Sequence, residues 1–261
     1  MIIMNLFNDY MKECEIFSDL KAPCSSKIVI RADGRKFSRL SQDLDLEKPY
    51  DPDFVNIMVD TCSEFFQEFS PSFIYTFSDE INILLHEIPF NGRVEKINSV
   101  FASFISGTFS QKIMKNKKFA KRFHSRETSI KPVSFDSRII PLNPEGVVFY
   151  FKNRQDEAWR NCLNGYAYWT LRKDCGKEEA VKLLDGKKSS QIQDMLFEKG
   201  INIQNVPTWQ RRGVGMYRKE IEVDGYNPLS QKKVQSKRLK AFEDWEIPVF
   251  DGQFFKNNLI L

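Results

Sequence analysis

"FIYTFSDEINILL", residues 73–85, consists of two short apolar runs separated by Ser78, Asp79 and Glu80. Each run is rich in β-branched and aromatic residues and too short for a helix, so the stretch predicts two strands joined as a hairpin. On its N-terminal side, residues 52–69 repeat apolar side chains at spacings of three and four: Phe54, Met58, Cys62, Phe65, Phe66 and Phe69. Pro52 suits a first helical turn, so this segment predicts a helix. On the other side, residues 93–117 carry Val94, Ile97, Phe101, Phe104, Ile105 and Phe109 along one helical face. Outside the two helices lie two more strand-like runs, residues 27–32 ("KIVIRA") and 133–140. The order β-α-β-β-α-β predicts an α+β, ferredoxin-like split βαβ sheet with its helices on one face. In such a sheet the first strand lies beside the hairpin, and its end meets the 77–81 tip.

Residues 147–152 also read as a strand, joined to 133–140 by the loop "PLNPEG". The expected boundary therefore falls near 152, with residues 1–152 as the catalytic unit and 153–261 as an appended helical and β lobe packed tightly on it. In that lobe, residues 154–173 read as a helix with Trp159, Leu163, Tyr166 and Trp169 on a periodic face. "SSQIQDMLFEKG" offers Ser190 and Gln193 as a capping box and Gly200 as a stop. A strand pair around "VDGYNP" and a basic stretch follow. Internal repeats and low-complexity segments are lacking.

The 261 residues are 41% hydrophobic and 13% aromatic, enough for a sizeable core, and 39 basic against 35 acidic residues give a net charge of +4. Such a mild excess is compatible with a polyanionic partner. The five cysteines, Cys14, Cys24, Cys62, Cys162 and Cys175, are odd in number and form no C-x-x-C; with only His86 and His124 they make no zinc cluster. They read as buried free thiols of a reducing cytosol. The opening "MIIMNLF" is too short for a signal sequence, and no apolar run approaches the roughly 20 residues of a membrane helix. The expected setting is soluble and cytoplasmic, with no membrane partner.

The first strand closes on a carboxylate, Asp33, followed at once by Gly34. If the strand and the hairpin are neighbours, Asp33 and Asp79 can share a pair of divalent cations. Two metals about 3.5–4 Å apart activate an attacking oxygen and stabilise a leaving oxygen in phosphoryl displacement. Mg²⁺ suits hard oxygen ligands and needs few carboxylates beside substrate phosphates. Gly34 would let a metal or phosphate approach the backbone. The amides of Arg35, Lys36, Phe37 and Ser38 open a short helix that suits a triphosphate, and Lys48, Arg93 and Lys96 would neutralise the remaining charge. Taken alone, an Asp-Gly pair after a strand is an ordinary turn and an acidic hairpin tip is a solvated one. Only their pairing in this topology points to chemistry.

"IVIRADGRKFSRL", "EKPYD" and "FSDEINILL" together resemble the tRNA-histidine guanylyltransferase superfamily, polymerases that add nucleotides in the 3′-to-5′ direction. The family's R-x-D-G-R-x-F is matched by Arg31, Asp33, Gly34, Arg35 and Phe37. Its K-P-x-D is matched by Lys48, Pro49 and Asp51, its S-D-E by Ser78, Asp79 and Glu80, and its F-D-x-R by Phe135, Asp136 and Arg138. The resemblance runs from about residue 5 to about 220 and thins after 175. It implies a catalytic domain like a polymerase palm, with two Mg²⁺ held by Asp33, the carbonyl of Gly34, and Asp79. Glu80 joins the two aspartates as a candidate catalytic residue, and its role as a ligand or an outer support stays open. The resemblance further implies activation of a tRNA 5′-monophosphate with ATP or GTP, attack by the 3′-hydroxyl of an incoming nucleotide, and a homotetramer built as a dimer of dimers. One departure stands out: the eukaryotic H-I-N-N-L-Y-N corresponds to "WRNCLNG", residues 159–165, where Asn161 and Leu163 match and Trp159 replaces the histidine. That favours the guanylyltransferase-like branch, which repairs truncated tRNA 5′ ends by templated addition, over dedicated addition of the extra guanosine.

Nucleotide contacts are thus expected at Gly34, Arg35, Lys36, Phe37, Ser38, Lys48, Ser78, Arg93, Lys96 and Asn161. Residues 208–240 hold nine basic residues against three acids, with Trp209, Tyr217 and Tyr226 among them. RNA contacts are expected there at Arg211, Arg212, Arg218 and Lys219, and also at Arg138. The alternatives are a solvated basic face for this stretch, core packing for Trp159, Tyr166, Tyr168 and Trp169, and a plain surface residue for His124. Two other functions remain beside the polymerase: a nucleotidyl cyclase on the same sheet, and a non-catalytic tRNA-binding protein on an inherited polymerase fold.

Overall fold

The computed structural model describes residues 10–11, 14–124, 131–227 and 232–259. From the first strand onward the elements are β1 (Lys27–Gly34), α1 (Phe37–Asp43), α2 (Pro52–Phe69), β2 (Phe73–Phe77), β3 (Glu80–Leu84), α3 (Val94–Lys115), α4 (Lys117–His124) and β4 (Phe135–Leu142). The chain continues through α5 (Pro144–Asp174), α6 (Lys177–Leu184), α7 (Ser189–Glu198), α8 (Thr208–Arg212), β5 (Val214–Asn227), β6 (Lys232–Asp244) and α9 (Gly252–Asn258). The described strands form one sheet in the order β4-β1-β3-β2-β5-β6, and every neighbour is antiparallel. The first four strands have the split βαβ arrangement expected from the hairpin and its flanks.

Strand alternation sends β1 into two cores. Ile28, Ile30 and Ala32 face α2 and α3, where they meet Phe65, Phe101, Ile105 and Phe109. Val29 faces the other way, with Phe73, Tyr75 and Leu84, against Val147, Phe151 and Ala158 of α5 and Phe250, Phe254 and Phe255 near the C-terminus. Both faces of the sheet are therefore covered, which is why "IVI" reads as an unbroken apolar run. The expectation of helices on one face holds for α2 and α3; α5 covers the opposite face.

Residues 147–152 are helical, contrary to the strand reading. Asn143 caps α5 by accepting from the Gly146 amide at 2.7 Å, and Pro144 occupies the first turn. "VVFYF" has strand-like composition, but Val147 and Phe151 stand one turn apart on the buried stripe that continues to Ala158 and Cys162. The helix crosses 152 without a break, and β5 joins the same sheet through β2. The cap of α7 also differs from the Ser190–Gln193 reading: the Gln191 side chain accepts from the Lys188 amide at 2.8 Å.

A third cluster lies between α5 and α7, with Cys162, Leu163 and Ala167 against Ile192, Leu196 and Ile203. β5 pairs with β2 only over Val214–Tyr217; beyond that point it pairs with β6 alone, as a two-stranded ribbon carrying much of the basic stretch. Among the described residues no helix is long and apolar enough to cross a membrane.

Phe101 is fully buried against Phe65 and Phe69, whereas Phe149 on α5 is 74% exposed. Phe101→Ala is expected to cost about 3–5 kcal/mol in urea unfolding, and Phe149→Ala no more than about 0.5 kcal/mol.

Candidate active site

The end of β1 is pinned to the hairpin by backbone alone. Asp33 stands opposite Glu80 on β3 and opposite Asp136 on β4. The Gly34 amide donates to the Asp79 carbonyl at 3.1 Å, and the Arg35 amide to the Ser134 carbonyl at 2.9 Å. Ser78 makes the turn with a left-handed φ of 56°, a conformation that costs a residue bearing a Cβ about 1 kcal/mol. Thr76 Oγ1 closes the turn by donating to the Glu80 carbonyl at 2.9 Å. The sequence reading that Asp33 and Asp79 meet at one edge is thus the observed geometry.

Because alternate residues share a face, Arg31 and Asp33 lie on the side of Val29, and Glu80 and Asn82 on the side of Leu84. This polar end of the sheet faces α5. Arg154 of α5 grips Glu80 with two bonds, Nε to Oε1 at 2.8 Å and Nη2 to Oε2 at 2.7 Å. Asn82 adds a third at 2.8 Å and is itself held by the Tyr150 hydroxyl at 2.6 Å. Glu80 is therefore an internally neutralised carboxylate. Arg154 carried no sequence signal, since its partner lies 74 residues away.

Asp33 and Asp79 are not discharged in this way. Burial raises the proton affinity of Asp33, and the charges of Glu80 and Asp136 raise it further against the pull of Arg138 and Arg31. Burial also pushes Asp79 up to about 6, with Asp33 and Glu80 adding to it; its own amide and the Ser78 hydroxyl oppose the shift. Ser78 Oγ donates to Asp79 Oδ1 at 3.2 Å. Among the described residues no three His, Cys, Asp or Glu side chains form a metal cluster. The structure brings together two carboxylates, to which the resemblance adds the Gly34 carbonyl. Two desolvated, mutually repelling carboxylates with hard oxygen donors fit Mg²⁺, which keeps waters and draws its remaining ligands from substrate phosphates.

Beside Asp79 opens a pocket of about 500 Å³ lined by Ser38 and Ser41 of α1, Lys48, Ser78, and Tyr168 and Trp169 of α5. Lys48 donates to Ser41 Oγ and lies 5.6 Å from the centre of the Trp169 ring. Burial lowers its proton affinity, while Asp51 and Asp45 oppose that. Tyr168 and Trp169 form a pocket wall, where the sequence favoured core. Trp159 and Tyr166 do pack on the small third core.

Several expected residues sit differently. The space above Gly34 is filled by Phe37: a Cβ there would lie 2.6 Å from Phe37 Cγ. The glycine thus serves that close packing, and Phe37 itself is buried against Phe54, Phe109 and Phe135. Arg35 and Lys36 line a smaller groove of about 210 Å³ with Arg39 and Lys131. Arg93 and Lys96 stand at the start of α3, where Arg93 bridges Lys21 and Lys96 lies over Phe90. Ser106, which accepts from the Phe135 amide near the acids, is 13 residues further along α3, roughly 20 Å at helical rise. Asn161 is exposed on α5, two turns beyond Arg154 on the same stripe and one before Gly165, which touches Pro49 and Tyr50.

Of the expected RNA contacts, Arg138 stands beside Asp136 on the acidic face, 3.5 Å away. Arg211 donates to the Val206 carbonyl, Arg212 to that of Ile247 and Arg218 to that of Pro71. Lys219 lies over Phe242. Arg211, Arg212 and Arg218 are thus tied to backbone carbonyls, and Lys219 to a ring. The side chains of His124, Asp224, Tyr226, Lys232 and Lys233 lie outside the described residues.

The profile of the tRNAHis guanylyltransferase family matches residues 8–143, and that of its C-terminal domain matches 145–248. The chain belongs to the tRNAHis guanylyltransferase family. Its members are nucleotidyltransferases. Among curated relatives, tRNA(His) guanylyltransferase 1 of Arabidopsis thaliana is 30% identical over 240 residues, covering 89% of this chain but 41% of its own length. The Saccharomyces cerevisiae tRNA(His) guanylyltransferase is 29% identical over 219 residues, 80% of this chain and 89% of the relative. A bacterial tRNA(His) guanylyltransferase-like protein solved with ATP superposes at a TM-score of 0.71 with 24% identity, covering 93% of both chains. The yeast crystal structure gives 0.69 at 25% identity, covering 79% of this chain and 90% of that one.

Since burial and Asp33 raise Asp79, folding takes up a proton there as the pH passes between the ordinary carboxylate range and about 6. Ionising Asp79 then costs stability that grows with pH through that window and is level above it. In EDTA, Asp79→Asn is expected to melt higher than wild type at pH 7.5 and to lose that advantage near pH 4. Thermal melts across this range check the sign.

Proposed function

We propose that this guanylyltransferase family member adds nucleotides in the 3′-to-5′ direction to the 5′ end of tRNA, and that its task is template-directed repair of truncated ends. The observation that carries this reading is the backbone-enforced pairing of Asp33 with Asp79, which lines the Lys48 pocket. The pocket suits a nucleoside triphosphate, ATP or GTP. Lys48 meets phosphate oxygens, Ser38, Ser41 and Ser78 supply hydroxyl donors, and Tyr168 and Trp169 offer aromatic wall for a base.

Asp33, Asp79 and the Gly34 carbonyl would hold Mg²⁺, which supplies charge stabilisation at the attacking and leaving oxygens of nucleotidyl transfer. Arg154 and Asn82 keep Glu80 out of that set and fix its carboxylate as a support under the site. Arg138, beside Asp33 on the open face, is placed to meet the 5′-phosphate of the RNA. Residues 1–152 carry the chemistry in this reading, while the C-terminal part supplies α5 as the far wall. The homotetramer and a cytoplasmic setting belong to the same proposal.

Trp159 supports repair over dedicated guanosine addition. It takes the place of the family histidine and packs on the small α5–α7 core rather than lining the pocket. Incubation of a tRNA lacking its first 5′ nucleotide and bearing a 5′-monophosphate, with Mg²⁺, ATP and each nucleotide in turn, tests the proposal. Only the nucleotide that pairs with the 3′ half of the acceptor stem is expected to be added. Asp79→Ala is expected to reduce addition at least about a hundredfold while tRNA binding persists. Guanosine added only to full-length histidine tRNA would make it a dedicated guanylyltransferase. Triphosphate turnover without RNA would make it a cyclase, and tRNA binding with no metal-dependent product a binding protein.

A further inference from the structure

The loop that delivers Lys48 is crowded with acids. Between Asp43 and Asp53 the chain carries Asp43, Asp45, Glu47, Asp51 and Asp53, and Lys48 is the only cation among them. Any of these carboxylates left unpaired would compete with an anionic ligand for the Lys48 ammonium. In the structure each is met by a cation other than Lys48. Asp43 pairs with Arg39 at 3.6 Å within α1. The remaining four are met from α4, a helix outside the family motifs. Arg122 meets Asp45 at 2.6 Å, and Lys118 meets Asp51 at 2.9 Å, Glu47 at 3.0 Å and Asp53 at 3.4 Å. Lys118 and Arg122 are four residues apart and so share one face of the helix. Lys48 donates to a serine hydroxyl, lies over an aromatic ring and lines the pocket, with Asp51 and Asp45 acting on it only at longer range.

The anchor of this arrangement is Asp51, whose side chain has no exposed surface. Burial works against its charge, but the Glu47 amide at 3.0 Å, the Lys118 ammonium and the Phe54 amide at 3.1 Å together hold its carboxyl below the usual range. One oxygen thus ties the loop across Lys48 and the other caps α2. The outer pairs are exposed, and such pairs add little stability individually. Their effect on a neighbouring charge is another matter, because an uncompensated carboxylate near Lys48 lowers the field that a phosphate meets.

Resting on the triphosphate pocket proposed above, we infer that Lys118 and Arg122 are positioning residues that sequester the acids around Lys48 and so leave its ammonium available to nucleotide phosphates. Lys118→Met releases Glu47 and Asp53 to the loop and leaves Asp51 to its two backbone donors, and Arg122→Gln releases Asp45. Lys48 is then drawn from the pocket by its own neighbours.

Equilibrium dialysis of GTP with Mg²⁺, beside steady-state nucleotide addition to a 5′-monophosphorylated tRNA, tests this. Lys118→Met is expected to weaken GTP binding and raise the nucleotide KM by at least about fivefold with kcat little changed, and Lys118→Arg to retain wild-type values. The deciding variant combines Lys118→Met with Glu47→Gln and Asp53→Asn: removing the freed carboxylates is expected to restore most of the affinity, which a helix-docking role would not do. Arg122→Gln against Arg122→Gln with Asp45→Asn gives the same comparison if Lys118→Met fails to fold. Unchanged affinity in Lys118→Met, or a loss that the neutralised acids do not reverse, overturns the inference. If GTP binds and responds as expected but no tRNA is extended, the inference stands and the repair reading falls. If wild type does not bind GTP, both fall.

Discussion

One hydrogen bond, from the Gly34 amide to the Asp79 carbonyl, joins the end of the first strand to the tip of the hairpin. Around it the ladder sets Asp33 against Glu80 and Asp136. That register cannot slip. Ile30 and Ala32 fill one core and Val29 the other, so a shift by one residue would drive Asp33 among phenylalanines and expose the isoleucines. Burial on both faces of the sheet therefore locates the carboxylates, and it holds them where their charges repel. Folding energy from two apolar cores is spent at the strand ends to hold two like charges in a partly desolvated place.

The acidic end is sorted by α5. Arg154 neutralises Glu80 with two bonds, while Asp33 and Asp79 keep raised proton affinities. Three carboxylates adjacent in the sequence reading thus divide into one structural and two available ones. The division comes from the C-terminal half of the chain, which packs α5 onto the palm face and extends the palm's sheet by β5 and β6. The two halves share one sheet, so the site depends on both.

Much of this was legible in the sequence where the signal was local. The 52–69 helix was read to its observed bounds because Pro52 marks its start and six apolar residues mark its face, and the structure adds the Asp51 cap. The hairpin and the β-α-β-β-α-β order followed from composition and spacing. "VVFYF" misled because its β-branched and aromatic residues satisfy a buried helical stripe as well as a strand, and the Asn143–Pro144 cap decided between them. Gly34 was read as room for a ligand, but its missing side chain makes room for Phe37, a residue three positions away that folds back on it. Arg154, Lys118 and the pocket wall of Tyr168 and Trp169 were not legible as site residues. Each acquires its role only when elements distant in sequence are brought together, and no spacing rule encodes that.

Charge balance in the Lys48 pocket constrains its chemistry further. Lys48 contributes one positive charge, but Glu47, Asp51 and Asp79 also line the pocket and Lys118 pairs with the first two, so the lining carries no excess of positive charge. A nucleoside triphosphate brings several negative charges, and Arg93 and Lys96, at the start of α3, do not line the pocket. Within this fold the balance must come from cations that arrive with the nucleotide or lie between it and the two aspartates. Burial raises the proton affinity of Asp79, and the charges of Asp33 and Glu80 add to it, so its carboxylate suits a partner of opposite charge. A site whose own cations are already offset by its acids has the electrostatics of a metal-dependent phosphoryl centre, in which the substrate and its ions complete the charge set.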